Sequence, residues 1–596
     1  MRVYVKMSVE NNSPQIKKRY FRNRKDGYVH QRYATRGLIK MVAKKKYIDL
    51  MEKALSAYTD EHIKKYFDEV KTNGLTEHGF PRLTVSIGIL IAHKKRVYLT
   101  PLFLEMMEFC CKTIPTVKAA NEFSVREIIT AILEFEKLEA FDKADIERWK
   151  GYLGTIEPYS CYKVIAKTPT DNVYNWALFT GVSEYMRQYV GLADTEEFVD
   201  VQIASQLAHL DENLMYKDAP RFPPMVYDLV SRLLFALLLH FGYRGKYFEQ
   251  IDNCLKNAGL LTLKMQSVTG EIPFGGRSNQ FILNEGFYAT LFEFEANRYA
   301  KEGNMALAAK FKARIEDAIA VSEYWFSKDP IHHVKNRFPL ETRYGCEDYG
   351  YFDKYMITTA SWFFTAYMMC NEEIPEASFE EKSEIFMSSS DFNKLFVRGK
   401  EYAAEFDLNA GPAYDTSGLG RVHRRGAPSP ICLSLPCGDA SKLHYFTNVE
   451  SSLPISLCAG IIDGGVPKFA TDAQYIVDSY SVVGDDAFVS LTNTFDNGTQ
   501  VKSDYKVTND GVEIKVCGDK EIAFALPAFY FDGETYTQIC HNGNELTVAY
   551  EGWVCKYSAD CTIKSLDTTA YNRNGHYCVF YAEAKNNLRV KIEIFK

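Results

Sequence analysis

The sequence lacks any apolar run long enough to cross a bilayer. The run Leu233 to Leu239 is uninterrupted but spans only two helical turns, far short of the roughly 20 residues a transmembrane helix needs. No membrane partner is expected. It also lacks metal-binding spacing. The fourteen cysteines are scattered, with only Cys110 and Cys111 adjacent and no CxxC. The twelve histidines are dispersed, and the neighbours His332 and His333 would face opposite ways in most elements. No metal or cofactor is expected, although Asp/Glu ligation of Ca²⁺ is left open. No P-loop, GxSxG elbow or dinucleotide fingerprint stands in a credible context. A basic excess is missing too: Lys+Arg total 70 against 77 Asp+Glu, a net charge of −7. That argues against a nucleic-acid partner. Short basic runs (Lys17 to Lys25, Lys44 to Lys46, Lys94 to Arg96) read as solvated faces. The first ten residues are charged, with no signal-peptide core. Together with the unpaired-looking thiols, this gives a cytoplasmic expectation.

What is plentiful is aromatic: 39 Tyr, 39 Phe and 5 Trp in 596 residues. Tyrosine suits a carbohydrate cleft, because its ring covers a sugar face while its hydroxyl bonds the edge, but it also serves cores and sheets. The length admits two to four domains with ample core.

From about Tyr28 to Cys370 apolar residues recur at three- and four-residue spacing. Successive helices are expected at Leu38–Tyr58, His62–Lys71, Leu83–Ala92, Pro101–Lys112, Ser124–Phe135, Asp145–Tyr152, Val173–Tyr189, Thr195–His209, Met225–Phe241, Lys246–Lys264, Asn284–Ala300, Met305–Phe326 and Lys354–Met369. Antiparallel hairpins in such number suit an (α/α)n toroid, incomplete or of six to seven hairpins; a helical solenoid is the runner-up, although no fixed period appears. An acidic, small-residue linker follows around Asn371 to Ser390. Beyond it, turn sequences such as Asp496-Asn497-Gly498 and Asn509-Asp510-Gly511 separate alternating strands such as Val512 to Val516. The expected organisation is a helical domain over 1–385 and an antiparallel β-sandwich over 386–596.

The loop 270–280 (Gly270-Glu271-Ile272-Pro273-Phe274-Gly275-Gly276-Arg277-Ser278-Asn279-Gln280) has the chemistry of a site. Pro273 stops the incoming helix. Gly275 and Gly276 let the backbone approach a ligand. Arg277, Asn279 and Gln280, with Asn284 and Glu285 just beyond, crowd planar hydrogen-bonding groups suited to a carboxylate or sugar hydroxyls. A helix–helix turn with Arg277 paired to a carboxylate is the plain alternative.

Six further constellations stand in or near helix-connecting loops. In Glu77 to Leu83, Pro81 falls in the first helical turn, leaving His78 before it and Arg82 where the dipole disfavours a cation. Near Asn121, Ser124 to Glu127 matches a capping box, so only Asn121 is a site candidate. Trp176 follows Asn172 and Asn175 and offers a sugar platform or core packing. Tyr227 and Asp228 precede Arg232, and the spacing of four from Asp228 suits an intrahelical salt bridge. Arg343 to Tyr351, including Tyr349, is a dense aromatic and charged loop. Tyr414 to Gly426, including Arg421 and His423, would bind an anion or clamp the sheet domain to the helical one.

With these residues laid out, the chain resembles the polysaccharide lyases of the toroid-plus-sandwich kind, in the company of the heparinase II/III-like proteins. More narrowly it resembles the L-rhamnose-α-1,4-D-glucuronate lyases acting on arabinogalactan side chains. The residues behind this are Glu77 to Thr84, Gly270 to Gln280 with Asn284-Glu285, and Tyr414 to His423. The resemblance implies β-elimination at a uronic acid in an acidic oligosaccharide, without a cofactor. It implies Arg277 and Asn279 at the uronate carboxylate with Arg82 in support, His78 as base, and Tyr349 or Tyr227 as acid. Asn121, Trp176, Gln280, Asn284, Glu285, Arg343, Arg421 and His423 complete the implied substrate contacts. A glycoside hydrolase on the same toroid, using Asp228 or Glu285, and a non-catalytic glycan-binding protein are the rival readings.

Overall fold

The computed structural model describes residues 43–218, 221–376 and 381–596. The basic run Lys17 to Lys25 and the expected helix start at Leu38 lie outside them. Fourteen helices come first among the described residues: α1 Lys44–Leu55, α2 Asp60–Asn73, α3 Gly79–Ala92, α4 Thr100–Thr113, α5 Asn121–Lys137, α6 Lys143–Leu153, the single turn α7 Pro158–Cys161, α8 Asn175–Tyr189, α9 Glu196–Leu207, α10 Met225–His240, α11 Phe248–Met265, α12 Leu283–Lys301, α13 Met305–Phe326 and α14 Phe352–Met369.

Their burial sorts them into two rings. Every residue of α3 is buried, and α10 is nearly as enclosed. A helix apolar on all sides belongs inside. By contrast α2 buries only Ile63, Phe67 and Val70, a single stripe at helical spacing. It has the ends of a surface helix: Thr59 accepts from the His62 amide at 3.1 Å, and Gly74 closes it at φ +81°.

Contacts run α3–α5–α8–α10–α12–α14 and back from α14 to α3, a closed inner ring of six. Outside it, α4 packs on α3, α9 on α8, α11 on α10 and α13 on α12, while α6 lies against α4 and α5. The outer partner of α14 is α1, from the other end of the domain. This is a toroid of six hairpins. From α3 to α12 each inner helix is followed by a returning outer one, and α14 follows the outer α13, so all six inner helices run in the same direction. Their N-termini therefore open on one mouth, and the loops before them meet there.

After α14 the chain becomes antiparallel sheet. The strands Glu384–Met387, Lys394–Arg398, Tyr402–Asp407 and Gly418–Arg424 form a sequential four-stranded sheet. It lies against α11 through Ala258, Met265, Phe386 and Phe396, with Met225 of α10 in the same cluster. An eight-stranded and a five-stranded sheet follow. They share one core, with Leu491, Val516, Phe524, Val548, Val579 and Ile592 among its members. Period-two burial, as in Val512–Gly518 and Asn587–Phe595, puts one face of each of these strands into that core. The architecture is a helical toroid followed by an antiparallel β-sandwich.

One local expectation fails. The capping box at Ser124 is absent, because α5 begins at Asn121 and Ser124 lies inside it. The Glu127 carboxylate is drawn away by Arg82 and Arg126.

Candidate active site

The mouth of the toroid gathers the sequence candidates for a topological reason. His78 caps α3, Asn121 begins α5, Trp176 lies in the first turn of α8 and Tyr227 in that of α10. Loop 270–282 precedes α12, and loop 343–351 precedes α14. Among the described residues, over half of the non-glycine positions with positive φ lie in these same connections: Ala120, Tyr174, Leu214, Phe222, Ser278, Gln280 and Arg343. Strain of this kind concentrates where surrounding structure holds a backbone for a purpose.

At the centre stands Arg277. Its side chain is 29% exposed and pairs with the fully buried Asp218. Asp218 in turn takes the backbone and side-chain amides of Asn175, at the start of α8. The guanidinium lies 4.2 Å from the Tyr227 ring centroid. The Tyr227 hydroxyl is 3.2 Å from Ser278 Oγ, which is 3.1 Å from the Tyr349 hydroxyl. Tyr349 and Phe281 both flank the Tyr355 ring. Burial, with Glu347 nearby, pushes the Tyr349 and Tyr355 phenols up, and the same forces, with neighbouring phenols, raise Tyr227. All three phenols therefore rest protonated. Tyr227, Tyr349 and Tyr355 are half-buried, so the cluster faces the mouth.

His78 stands in the same mouth, its ring 4.7 Å from Phe123, and Phe123 meets Trp176 edge-on at 4.9 Å. Arg82 joins it to α14: Nη1 lies 2.9 Å from His78 Nδ1 and 2.6 Å from Thr358 Oγ1. Burial, then Arg82 and Lys354, holds the imidazole well below its usual range, hence neutral. A guanidinium only donates, so His78 Nδ1 is the acceptor and Nε2 carries the proton. His78 thus presents a donor, and the lone pair a base needs is already taken. Without a substrate, then, the nitrogen expected to act as base is engaged by Arg82.

Several other candidates are buried and already partnered within the fold. Asn279 spends its amide within its own loop, donating to Pro273 O at 2.9 Å and accepting from Gln280 at 2.9 Å. The Gln280 carbonyl takes Asn574 of the sandwich. Asn284 holds Ser278 O at 3.1 Å, and Glu285 is fully buried against Lys335 at 2.6 Å. Arg82, 3% exposed, gives its Nε to Glu127. Asn121 is enclosed, donating to Ile114 O and Val117 O. Asp228 makes the intrahelical pair with Arg232 at 2.6 Å, both fully buried. Arg343 bonds Glu347 O and Asp348 O and stacks between the Tyr351 and Phe446 rings. Arg421 bridges Glu405 to Ile272 O, and His423 bonds Ser267 and Ser434. These two are the interdomain clamp rather than an anion site. Trp176, half-buried, stays at the rim.

Sequence reasoning missed Asp218, Tyr355, His444 and Arg573, and it gave no individual role to Ser278, Glu347 and Tyr414, which lie in stretches it singled out. Tyr414 is half-buried and raised by burial and Glu347, with Arg573 and Arg277 offsetting part of the rise, so it lies near both cations. The exposed His444 meets Tyr414 edge-on at 5.6 Å, and its amide donates to Ala413 O at 2.9 Å. Both come from the sheet region, so the helical domain does not build the mouth alone. Among the described residues no group of three or more His, Cys, Asp or Glu is placed to hold a metal. Among them, too, no helix is long and apolar enough to cross a membrane.

No protein-family model matches the chain, and no curated protein matches it. Among solved structures it is similar to a mutant of the heparan sulfate lyase HepC from Pedobacter heparinus, at 10% identity and a TM-score of 0.47, over 87% of this chain and 76% of that one. It is similar to the Streptomyces coelicolor A3 chondroitin AC lyase at 10% identity and a TM-score of 0.47, over 92% and 79%. The Paenibacillus xanthan lyase matches at 8% identity and a TM-score of 0.45, over 92% of this chain and 57% of that one.

Proposed function

We propose that this protein is a carbon–oxygen lyase that cleaves a uronic-acid-containing glycan by β-elimination. The observation that carries the reading is the juxtaposition in one mouth of a half-exposed guanidinium, Arg277, with the Tyr227–Ser278–Tyr349 hydroxyl chain. Arg277 receives the uronate carboxylate and stabilises the charge that grows as C5 loses its proton. The His78 Nε2–H group donates to the same region. The C5 proton passes to the imidazole of His444. The C4–O bond breaks as the C4–C5 double bond forms. The leaving oxygen takes a proton from Tyr349, which the site keeps protonated, with Tyr227 next along the chain. Trp176 and Phe123 offer apolar faces to neighbouring sugar rings. Rhamnose–glucuronate ends of arabinogalactan are the first substrate to try.

The hydrolase reading loses ground on the same geometry. Its candidate acids, Asp228 or Glu285, are each fully buried and already paired, whereas glycoside hydrolysis needs its carboxyl groups at the sugar. The deciding experiment incubates the protein with a panel of uronate oligosaccharides and follows ultraviolet absorbance together with reducing ends. Elimination raises both, hydrolysis only the second, and a non-catalytic binder neither. Tyr349→Phe and His444→Ala should each lower the absorbance rate by on the order of 10²-fold or more. Full activity in both variants rejects these assignments.

A further inference from the structure

A two-residue turn at the tip of a β-hairpin normally meets water. The tip joining the strands Ile563–Asn572 and Gly575–Ala584 does not. Asn572, Arg573 and Asn574 are all at most 2% exposed, because the tip is driven into the helical domain between two loops of the mouth. We propose that this sandwich turn is a working part of the site, with Arg573 and Glu347 as the positioning pair for the Tyr227–Ser278–Tyr349 hydroxyls. The proposal rests on the elimination reading for its reaction, but not for its geometry.

The contacts run in one direct line. Arg573 Nη2 reaches Glu347 at 2.7 Å, and Nη1 reaches Gly345 O at 2.6 Å. The same Glu347 oxygen accepts the Ser278 amide at 2.6 Å. Ser278 sits at φ +59°, a conformation a serine adopts only when held. Its Oγ is the atom between the two tyrosine hydroxyls. Asn574 Nδ2 holds the next stretch, reaching Lys335 O at 2.8 Å and Gln280 Oε1 at 3.2 Å. Asn336 Nδ2 closes the frame on Arg573 O at 2.9 Å. Asn284 holds the Ser278 carbonyl at 3.1 Å, while the tip fixes the carboxylate that holds its amide.

Charge follows the same line. The Glu347 carboxylate is among the groups that raise Tyr227, Tyr349, Tyr355 and Tyr414. Opposing it are Arg277, which lowers Tyr349 and Tyr414, Arg82, which lowers Tyr355, and Arg573, which lowers Tyr414 and Tyr445. The pair therefore sets both where the proton donors stand and how firmly they keep their protons.

Three variants of the full chain test this: Arg573→Met, Arg573→Lys and Glu347→Gln. Arg573→Met should lower kcat on the order of 10²-fold with KM little changed, because Arg277 still holds the substrate, and Arg573→Lys should recover part of the loss. Glu347→Gln removes a negative charge beside the phenols, so the alkaline arm of its pH–rate profile should move to lower pH. In the free protein, the component of the tyrosinate absorbance titration that Tyr349→Phe removes should lie at lower pH in the Glu347→Gln background than in wild type, the exposed tyrosines setting the onset in both. Unchanged kcat in Arg573→Met, or an unmoved titration in Glu347→Gln, overturns the proposal. If the wild type yields no unsaturated product on any uronate glycan, the elimination reading falls and the titration alone decides the positioning role. If Arg573→Met does not fold, the isosteric Glu347→Gln carries the test.

Discussion

Replacing Arg277 with alanine separates catalysis from folding in a way the structure makes quantitative. The guanidinium is the half-exposed cation placed to meet a uronate carboxylate, and losing one such preorganised donor costs about 3 kcal/mol of transition-state stabilisation. That is a fall on the order of 10² in kcat/KM. The same change strips Asp218 of its cation. Asp218 is fully buried while Arg277 is 29% exposed, so the pair lies between a surface bridge worth under about 1 kcal/mol and a buried one whose breaking costs about 3–5 kcal/mol. Asp218 keeps both donors from Asn175, and solvent screens the arginine, so we expect about 1–2 kcal/mol of lost stability. Adding Asp218→Asn removes the stranded charge. The double variant should regain most of the stability in urea unfolding and none of the rate of ultraviolet-absorbing product. A single variant that turns over normally, or a double variant that recovers activity, would refute the role given to Arg277.

Two other expectations follow from the frame around the mouth. His423 is held to about 3 by burial and by Arg421, far below an unfolded histidine near 6.5. The unfolded chain therefore binds the proton first, and the stability owed to the neutral imidazole is complete above about pH 6.5 and is lost as pH falls toward 3; His423→Gln should flatten that acid slope in pH-dependent unfolding. Gly270 has φ +96°, and a Cβ there would stand 2.1 Å from Asp317 O. Gly270→Ala should therefore destabilise the protein by more than about 1 kcal/mol and lower its melting temperature.

Most of the helices were legible because an amphipathic or wholly apolar helix writes its period into the chain. Met305–Phe326 falls on its expected bounds, and the other expected helices shift by a few residues at those ends that lie among the described residues. The mouth was legible for a related reason. A toroid places every inner-helix N-terminus at one end, so polar loops recurring before apolar helices mark a common site. What the sequence withheld is which partner each polar group takes. Asn279, Arg82, Asn121 and Glu285 look like ligand groups until the fold supplies Pro273, Glu127, Ile114 and Lys335. Arg573 reaches Glu347 across 226 residues, and no local pattern signals such a pair. The His78 role turned on a single hydrogen bond from Arg82, which spacing alone does not orient.

The pairing of α1 with α14 bears on biosynthesis. The two halves of that contact leave the ribosome about 300 residues apart, so the apolar stripe of α1 (Tyr47, Ile48, Met51, Ala54 and Leu55) must wait uncovered while the rest of the domain is made. Contacts of such long range are slow to form, and waiting apolar surface invites association with other chains. Expression should therefore depend on chaperone supply, and polar substitutions on that stripe should harm the yield of folded protein before they touch the chemistry of the mouth.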